Sequence, residues 1–599
     1  MSFVSSLSRE LSYMSALFRT LKWLKDIALE SPKLVPDDYE AVVDKHPDNI
    51  AFLFEGQVLT YRDFDARANR YANWALAEGL KPGDSVALFM QNKPDYVACW
   101  YGLSKVGVVT ALINHNLTGQ GLAHCVTIAK AVRVVVDADL APLWASAAGL
   151  VSPEITAFAT GGEVAGCADL DAALASVSAA RPDRAIRAGL LGKDLCLYVY
   201  TSGTTGLPKA AKLSHSRTQT MSRAFIGAVK GDERDRVYVA LPLYHGTGGL
   251  CGVGVALNTG GTCVLRRRFS ASAFWDDISD NGCTIFVYIG ELCRYLINQP
   301  PHQKERAHRL KAIFGNGLRP DVWEKFQPRF NIPRIVEFYG STEGNVAMAN
   351  YEGKLGAIGR IPKYLEGKVF HTKLVKFDVD AEQVVRGPDG FCLVAADGEV
   401  GEAIGKIGEI ARERFDGYGN DPAQTEKKIL RDVFEKGDAW FRTGDLMKRD
   451  AEGYYYFVDR IGDTFRWKSE NVSTNEVGEA ISVFEGVADA NVYGVAVPHQ
   501  DGRAGMAAIT VDASTFDLAA FKAHMDANLP AYARPLFLRY ASAAEITGTF
   551  KYKKTDLVRD GFDPGRVSDP LFFLDAEAGG YVPLTQAVFD RIVAGGVRL

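Results

Sequence analysis

Tyr198-Val-Tyr-Thr-Ser-Gly-Thr-Thr-Gly-Leu-Pro-Lys-Ala-Ala-Lys212 is the stretch from which the rest of the chain is read. The apolar run Leu195 to Tyr200 predicts a buried strand. The run then breaks into Thr201, Ser202, Gly203, Thr204, Thr205 and Gly206, followed by Pro208 and Lys209. Glycines let a backbone turn tightly and approach a ligand closely. Hydroxyls and free N–H groups aimed into such a concavity make an anion nest, and a lysine adds a point charge suited to phosphate. The segment is built to hold a polyphosphate. It is not a Walker loop, because the order is Gly203-x-x-Gly206-x-x-Lys209 and no hydroxyl follows the lysine.

Other motifs follow in order. Arg236 to His245 reads as a strand ending at Pro242 and the pair Tyr244-His245, with Gly246, Gly248 and Gly249 beyond it. Ile313-Phe-Gly-Asn-Gly-Leu318 is a second glycine-bearing strand end, at Gly315, Asn316 and Gly317. It lacks the third glycine of a dinucleotide fingerprint. In Glu337-Phe-Tyr-Gly-Ser-Thr-Glu-Gly-Asn345, Tyr339 offers a flat face to a purine beside Gly340. Thr342 offers a hydroxyl to phosphate, and Glu343 a hard oxygen to magnesium. Asp445, in Trp440-Phe-Arg-Thr-Gly-Asp445, is placed after a Thr-Gly turn to accept from vicinal ribose hydroxyls. The strand Tyr454 to Arg460 breaks at Ile461-Gly462-Asp463, where a domain boundary and a glycine pivot are expected.

Taken together, these motifs resemble the adenylate-forming enzymes, which include acyl-CoA synthetases, luciferases and peptide-synthetase adenylation domains. Asp463-Thr-Phe-Arg-Trp-Lys-Ser-Glu-Asn-Val-Ser-Thr474 and the tail Asp569-Pro-Leu-Phe-Phe-Leu-Asp575 with Tyr581-Val-Pro-Leu584 are similar to the fatty acid transport protein and very-long-chain acyl-CoA synthetase branch. The resemblance covers nearly the whole chain past residue 40. It implies a two-step reaction through acyl-AMP, with ATP, Mg²⁺, coenzyme A and a fatty acid as partners. It implies catalytic or charge-neutralising roles for Lys209, His245, Thr342, Glu343, Arg466 and Lys551, with Glu343 on the metal. It implies nucleotide contacts from residues 201–206, Gly315, Asn316, Gly317, Tyr339, Gly340, Thr342, Asp445 and Arg460, and a pivot at Gly462. One departure stands out: the branch has glycine where this chain has Ser469, near the expected pantetheine path.

The expected fold is α/β. Its parts are an amphipathic segment (1–35), a large domain of parallel sheets layered with helices plus a small β subdomain (36–461), and a smaller, mobile α+β domain (462–599). Alternation of short strands and helices from 36 to 190 supports the parallel sheet. Residues 141–183, rich in Ala, Gly and Ser, read as packing and loops, and Gly248 to Leu257 as part of an acyl-pocket wall. In residues 6–29, Leu7, Leu11, Met14, Phe18, Leu21, Leu24 and Ala28 recur at helical spacing. The plain reading packs this face on the protein's own core; the alternative lays it in a membrane interface.

With 599 residues the chain is too long for one core. A net charge of −5 gives no call for nucleic acid. Nine cysteines without a CxxC pair argue for a reducing compartment and against structural zinc. No apolar run reaches the roughly 18–20 residues that span a bilayer, the longest being cut by Lys105 and Asn258. The expectation is a cytoplasmic protein whose membrane contact, if any, is peripheral on the inner face. Oligomeric state stays open, a homodimer included. Two other function classes also stay open: a fatty acid carrier without chemistry, and an adenylating enzyme that passes its acyl group to an acceptor other than CoA.

Overall fold

The computed structural model describes residues 3–201, 207–379, 381–468, 470–500, 502–542 and 554–597. The chain divides into two compact units. One comprises residues up to Arg360 with 405–431 and 438–441; the other comprises 361–404, 432–437 and 442 onward.

Two sheets build the first unit. One has seven strands in the spatial order Ala168–Asp169, Thr156–Thr160, Ala131–Asp137, Ser85–Phe89, Val109–Leu112, Leu195–Thr201 and Lys209–Ser214. Its neighbours run parallel except the last pair, which is an antiparallel hairpin. The other has eight strands in the order Ala347–Asn350, Ile335–Gly340, Ala312–Asn316, Ile285–Ile289, Arg236–Val239, Thr262–Leu265, Ile50–Phe54 and Gln57–Thr60. Its six inner strands are parallel and both edge strands antiparallel. Parallel strands need helical crossovers that cover both faces, so they are apolar throughout. Ser85–Phe89 and Ile285–Phe286-Val287-Tyr288 are buried accordingly. The helix Tyr61–Ala77, which links the edge strand Gln57–Thr60 to Ser85–Phe89 of the other sheet, starts where Thr60 caps the Asp63 amide and Asp63 returns the bond. Lys105, which interrupts an apolar helix in the sequence, is fully buried, with Nζ 2.6 Å from Asp65 and 3.3 Å from Glu40.

Residues 141–183 are more ordered than their composition suggests. Thr156–Thr160 is an inner strand with Ala157, Phe158 and Ala159 buried, and Ala141–Ala148 and Leu170–Ser176 are helices. Alanine-rich elements carry too little hydrophobic contrast to show a period. The strand expected through His245 stops at Val239. Pro242 has no N–H for a ladder. Asn92 takes the ladder's place, donating to the Leu241 carbonyl at 2.9 Å and accepting from the Leu243 amide at 2.9 Å.

In the second unit, residues 445–449 of the strand Ala439–Arg449 pair antiparallel with the strand Tyr454–Arg460. A five-stranded sheet of Val487–Val495, Ala504–Val511, Phe537–Tyr540, Leu571–Asp575 and Gly580–Pro583 carries the helices Thr474–Ser482, Leu518–Asn528 and Gln586–Val593. Phe465, Ile481, Met506, Phe521, Phe537 and Phe573 lie in its core.

The N-terminal helix, Phe3–Leu24, overturns the plain reading of its apolar face. Tyr13, Ala16, Leu17 and Thr20 are buried, while Leu7, Leu11, Met14, Phe18 and Leu21 are exposed. Close approach selects the buried face: a Cβ at Gly227 would lie 2.4 Å from the Thr20 amide nitrogen and 2.5 Å from the Arg19 carbonyl carbon. Arg19 Nε donates to the Gly227 carbonyl at 3.1 Å, and the Tyr13 hydroxyl to the Arg360 carbonyl at 3.0 Å. Gly227→Ala is therefore expected to lower stability by about 1–3 kcal/mol through overpacking. Thermal melts check this, and an unchanged midpoint would show that the helix is not held at that contact.

Candidate active site

The hairpin of the seven-stranded sheet sets Thr201 opposite Lys209 across the ladder. The expected phosphate-holding residues Ser202, Gly203, Thr204, Thr205 and Gly206 lie between them and outside the described residues. Lys209 Nζ donates to Gln424 Oε1 at 2.8 Å and sits 5.6 Å from the centre of the Tyr418 ring. Partial burial and the neighbouring Lys428 hold its pKa below the usual lysine range.

Tyr418 reaches from Lys209 to the second motif. Its hydroxyl donates to Glu343 Oε1 at 2.9 Å. The tyrosine is fixed because its segment extends the hairpin: Lys212 N donates to the Gly417 carbonyl at 3.0 Å and Gly419 N to the Ala210 carbonyl at 2.7 Å. A side chain on Gly419 would come within 2.7 Å of Tyr198, so only glycine lets this segment lie so close.

A half-buried cation makes the second link. Arg217, in the helix His215–Arg223 that follows the hairpin, donates Nη2 to the carbonyls of Ser341 at 2.8 Å and Thr342 at 3.3 Å, and to that of Gly344. Burial lowers its pKa from the usual arginine value. The Thr342-Glu343 turn is thereby held by its own backbone, and the Thr342 and Glu343 side chains stay partly accessible. Gly344 is tightly enclosed, since a Cβ there would lie 2.2 Å from Ser341 Oγ and 2.4 Å from Phe441. Among the described residues, Glu343 Oε2 has no hydrogen-bond partner.

The adjacent strand ends are joined from beneath. Glu337 is buried, accepts from the Leu318 amide at 3.1 Å and pairs with the Tyr288 hydroxyl. It therefore fixes the turn through Gly317, whose φ of +79° lies in the left-handed region. Burial raises the Glu337 pKa to about 8. Above this buried layer Tyr339 is half-buried, Gly317 and Gly340 are exposed, and the buried acceptor Asn316 Oδ1 has no hydrogen-bond partner among the described residues. At Gly315 a Cβ would lie 2.1 Å from the Tyr288 carbonyl oxygen.

His245 reaches the same region through its neighbour. A Cβ on Gly246 would lie 3.8 Å from Thr342 Oγ1. The Tyr244 ring lies 4.4 Å from that of His245 and 5.1 Å from that of His115. Gly248 to Leu257 forms a buried, wide helical turn and a short helix. Its glycines serve packing: a Cβ at Gly249 would meet the Leu243 carbonyl oxygen at 1.9 Å.

Four of the expected residues that are described, Asp445, Arg460, Gly462 and Arg466, belong to the second unit. Asp445 is not beyond a turn but within Ala439–Arg449, where it faces Arg460 across the ladder, with Arg460 Nε 3.8 Å from its carboxylate. Gly444 has φ +79°, and the Thr443 hydroxyl donates to the Ala403 carbonyl at 2.7 Å and accepts from the Asp445 amide at 3.0 Å. Gly462 is exposed with φ +92° and open space around it. Arg466 lies in the short strand Phe465–Trp467, whose backbone is met by Arg503 N at 2.7 Å. Lys551 and Ser469 lie outside the described residues.

The first unit thus gathers Thr201, Lys209, Thr342 and Glu343 into one connected set, with Tyr244-His245 alongside and Asn316, Gly317, Tyr339 and Gly340 presented on adjoining strand ends. Sequence reasoning missed Arg217, Tyr418, Gln424 and the role of Glu337. The only local cue was Gly417-Tyr418-Gly419, a tyrosine between two glycines.

Comparison with known proteins gives the family of the chain. Residues 39–393 match the AMP-binding enzyme family. The chain is 41% identical over 577 residues to long-chain fatty acid transport protein 6 of Mus musculus, covering 94% of this chain and 91% of that one. It is 42% identical over 573 residues to long-chain fatty acid transport protein 1 of Homo sapiens, covering 94% and 88%. Among solved structures it is similar to the anthranilate CoA ligase AuaEII in complex with anthranoyl-AMP. The TM-score is 0.75 at 20% identity, over 89% of this chain and 98% of that one. A Mycobacterium tuberculosis fatty acyl CoA synthetase gives a TM-score of 0.62 at 24% identity, over 88% and 98%. The chain belongs to the AMP-binding, adenylate-forming family, in the branch of the fatty acid transport proteins and very-long-chain acyl-CoA synthetases.

The Glu337 carboxyl carries a pH signature. Its folded pKa of about 8 lies above the unfolded value of 4.5, so its contribution is complete below the unfolded pKa and is lost as pH rises through 8. Glu337→Gln removes that titration. The melting midpoint of the variant relative to wild type is expected to rise between pH 6 and pH 9; a pH-independent difference would contradict the assignment.

Proposed function

We propose that this chain is an ATP-dependent ligase that joins long- and very-long-chain fatty acids to coenzyme A through an acyl-AMP intermediate. A fatty carboxylate oxygen attacks the α-phosphorus of ATP, and the bond to pyrophosphate breaks. The CoA thiolate then attacks the acyl carbon, and AMP leaves with the bonding pair. The observation that carries this reading is the meeting of Lys209 and Glu343 on Tyr418, beside strand ends that offer Asn316 and Tyr339.

Carboxylate and triphosphate repel each other, so the residues that bring them together must neutralise charge. In this reading Lys209 and the donors of residues 201–206 hold phosphate oxygens, and Thr342 positions them. Tyr418 aims the Glu343 carboxylate, whose Oε2 is left available. Magnesium, held by that carboxylate, would supply further neutralisation of the triphosphate. Tyr339 and the Gly315–Gly317 strand end take the adenine, with the unpartnered Asn316 oxygen as acceptor for its amine. Asp445 and Arg460 take the ribose side. Tyr244 and His245 border the acyl carboxylate, and Gly462 turns the C-terminal domain so that Lys551 serves the first step and Arg466 the second. Relatives named fatty acid transport proteins support a coupled role in fatty acid uptake, in which conversion to the thioester retains the acid.

Ser469, where the resembling branch has glycine, leaves open a second reading in which the acyl group passes to a carrier protein or another acceptor. A panel of acids from short to very long, with AMP measured with and without CoA, separates the readings. CoA-stimulated AMP release with long chains supports the ligase. Release only with a carrier supports the alternative, and no acid-dependent AMP contradicts both.

Lys551→Ala is expected to slow acyl-AMP formation roughly 100- to 1000-fold, the usual cost of removing one donor to developing charge. Thioester formation from supplied acyl-AMP should survive; equal loss of both steps would refute this role for Lys551.

A further inference from the structure

We propose that the outward face of the N-terminal helix Phe3–Leu24 is a docking surface for an anionic lipid bilayer. Five large apolar side chains, Leu7, Leu11, Met14, Phe18 and Leu21, recur at steps of four and three residues and are all exposed, Leu11 to 63% and Phe18 to 73%. Steps of that kind put them on one stripe of the helix. The helix cannot turn this stripe inward. Its opposite face is fixed by the close approach of Thr20 to Gly227, by the Arg19 and Tyr13 hydrogen bonds, and by the ion pair of Glu10 with Arg360. An apolar stripe held outward by its own anchoring needs an occupant.

Charge identifies the occupant. The acidic groups of this segment are already engaged: Glu10 with Arg360, and Asp26 with Arg223 at 2.9 Å and Lys33 at 2.5 Å. Lys22 and Lys25 continue the stripe at its C-terminal end, are exposed, and have no ion pair among the described residues. The surface therefore presents apolar side chains edged by uncompensated cations, which is the pattern that inserts into the headgroup boundary of an anionic membrane. A second copy of the chain is a poorer fit. Five partly exposed side chains offer on the order of 500 Å², below the roughly 800 Å² per partner of a stable protein interface. A bilayer accepts a convex helix without needing a matching groove. The contact is interfacial, since among the described residues no helix is long and apolar enough to cross a membrane. The proposal does not depend on the ligase reading.

Cosedimentation of the full chain with vesicles tests it, comparing phosphatidylcholine alone with phosphatidylcholine plus phosphatidylglycerol. Wild type is expected to partition onto the anionic vesicles. The double variant Leu11→Ser with Phe18→Ser should weaken that partitioning at least tenfold, with an unchanged thermal midpoint because both side chains face solvent. Lys22→Glu with Lys25→Glu should weaken binding to anionic vesicles only, and added salt should mimic it. Wild type that stays in the supernatant, or a serine variant that binds as well as wild type, would overturn the proposal. So would a concentration-dependent dimer that the serine variant abolishes, because the stripe would then belong to a second copy.

Discussion

A single half-buried guanidinium holds the candidate site in register. Arg217 stands on the helix that continues the hairpin of Leu195–Thr201 and Lys209–Ser214, yet its hydrogen bonds go to three carbonyls of the turn carrying Thr342 and Glu343. The two motifs come from different sheets and are separated by more than a hundred residues. Without a link their relative placement would depend on loop packing alone. Arginine suits the task because its planar fork spreads several donors and keeps its charge when buried. Removing it would leave three carbonyls without this donor, at a cost of about 1–3 kcal/mol for each that water does not reach. Tyr418 adds a second connection, from the Lys209 side to Glu343, and Glu337 fastens the adjoining strand ends from below.

This division of labour explains what the sequence could and could not disclose. Residues that would touch a nucleotide sit in short contiguous runs, because a strand end and the loop after it deliver neighbouring side chains to one place. Thr201 and Lys209, the ends of one such run, and Tyr339 to Glu343 were legible for that reason. The alternating pattern of the parallel sheets was legible too, since uniformly apolar strands between amphipathic helices leave few other folds. Residues that hold the runs in place act at long range and through backbone atoms, so no spacing betrays them. Arg217 looks like any helical arginine, and Asn92, which stands in for the ladder at Pro242, looks like any loop asparagine. Thr156–Thr160 escaped because alanine gives a buried strand no contrast.

The N-terminal helix shows the limit of periodicity as a guide to orientation. A stripe of leucines and a phenylalanine predicts which residues share a face, not which way the face points. Packing decided that question on steric grounds: Gly227 lets the backbone at Arg19 and Thr20 come close, and Ala16 keeps that side of the helix slim. The larger apolar residues were left outside. Sequence can reveal such a preference only when the small residue on the partner, here Gly227 some two hundred positions away, is read together with the helix.

The account rests on a nucleotide seated on the first unit, over the strand ends at Gly315–Gly317 and Tyr339 and between Lys209 and Glu343. Photolabelling the full chain with 8-azido-ATP and magnesium, followed by peptide mapping, tests this most directly. Label on the peptides carrying Gly315–Gly317 or Tyr339, displaced by ATP, is the predicted result. Label confined to other peptides, or incorporation that excess ATP leaves unchanged, would contradict it.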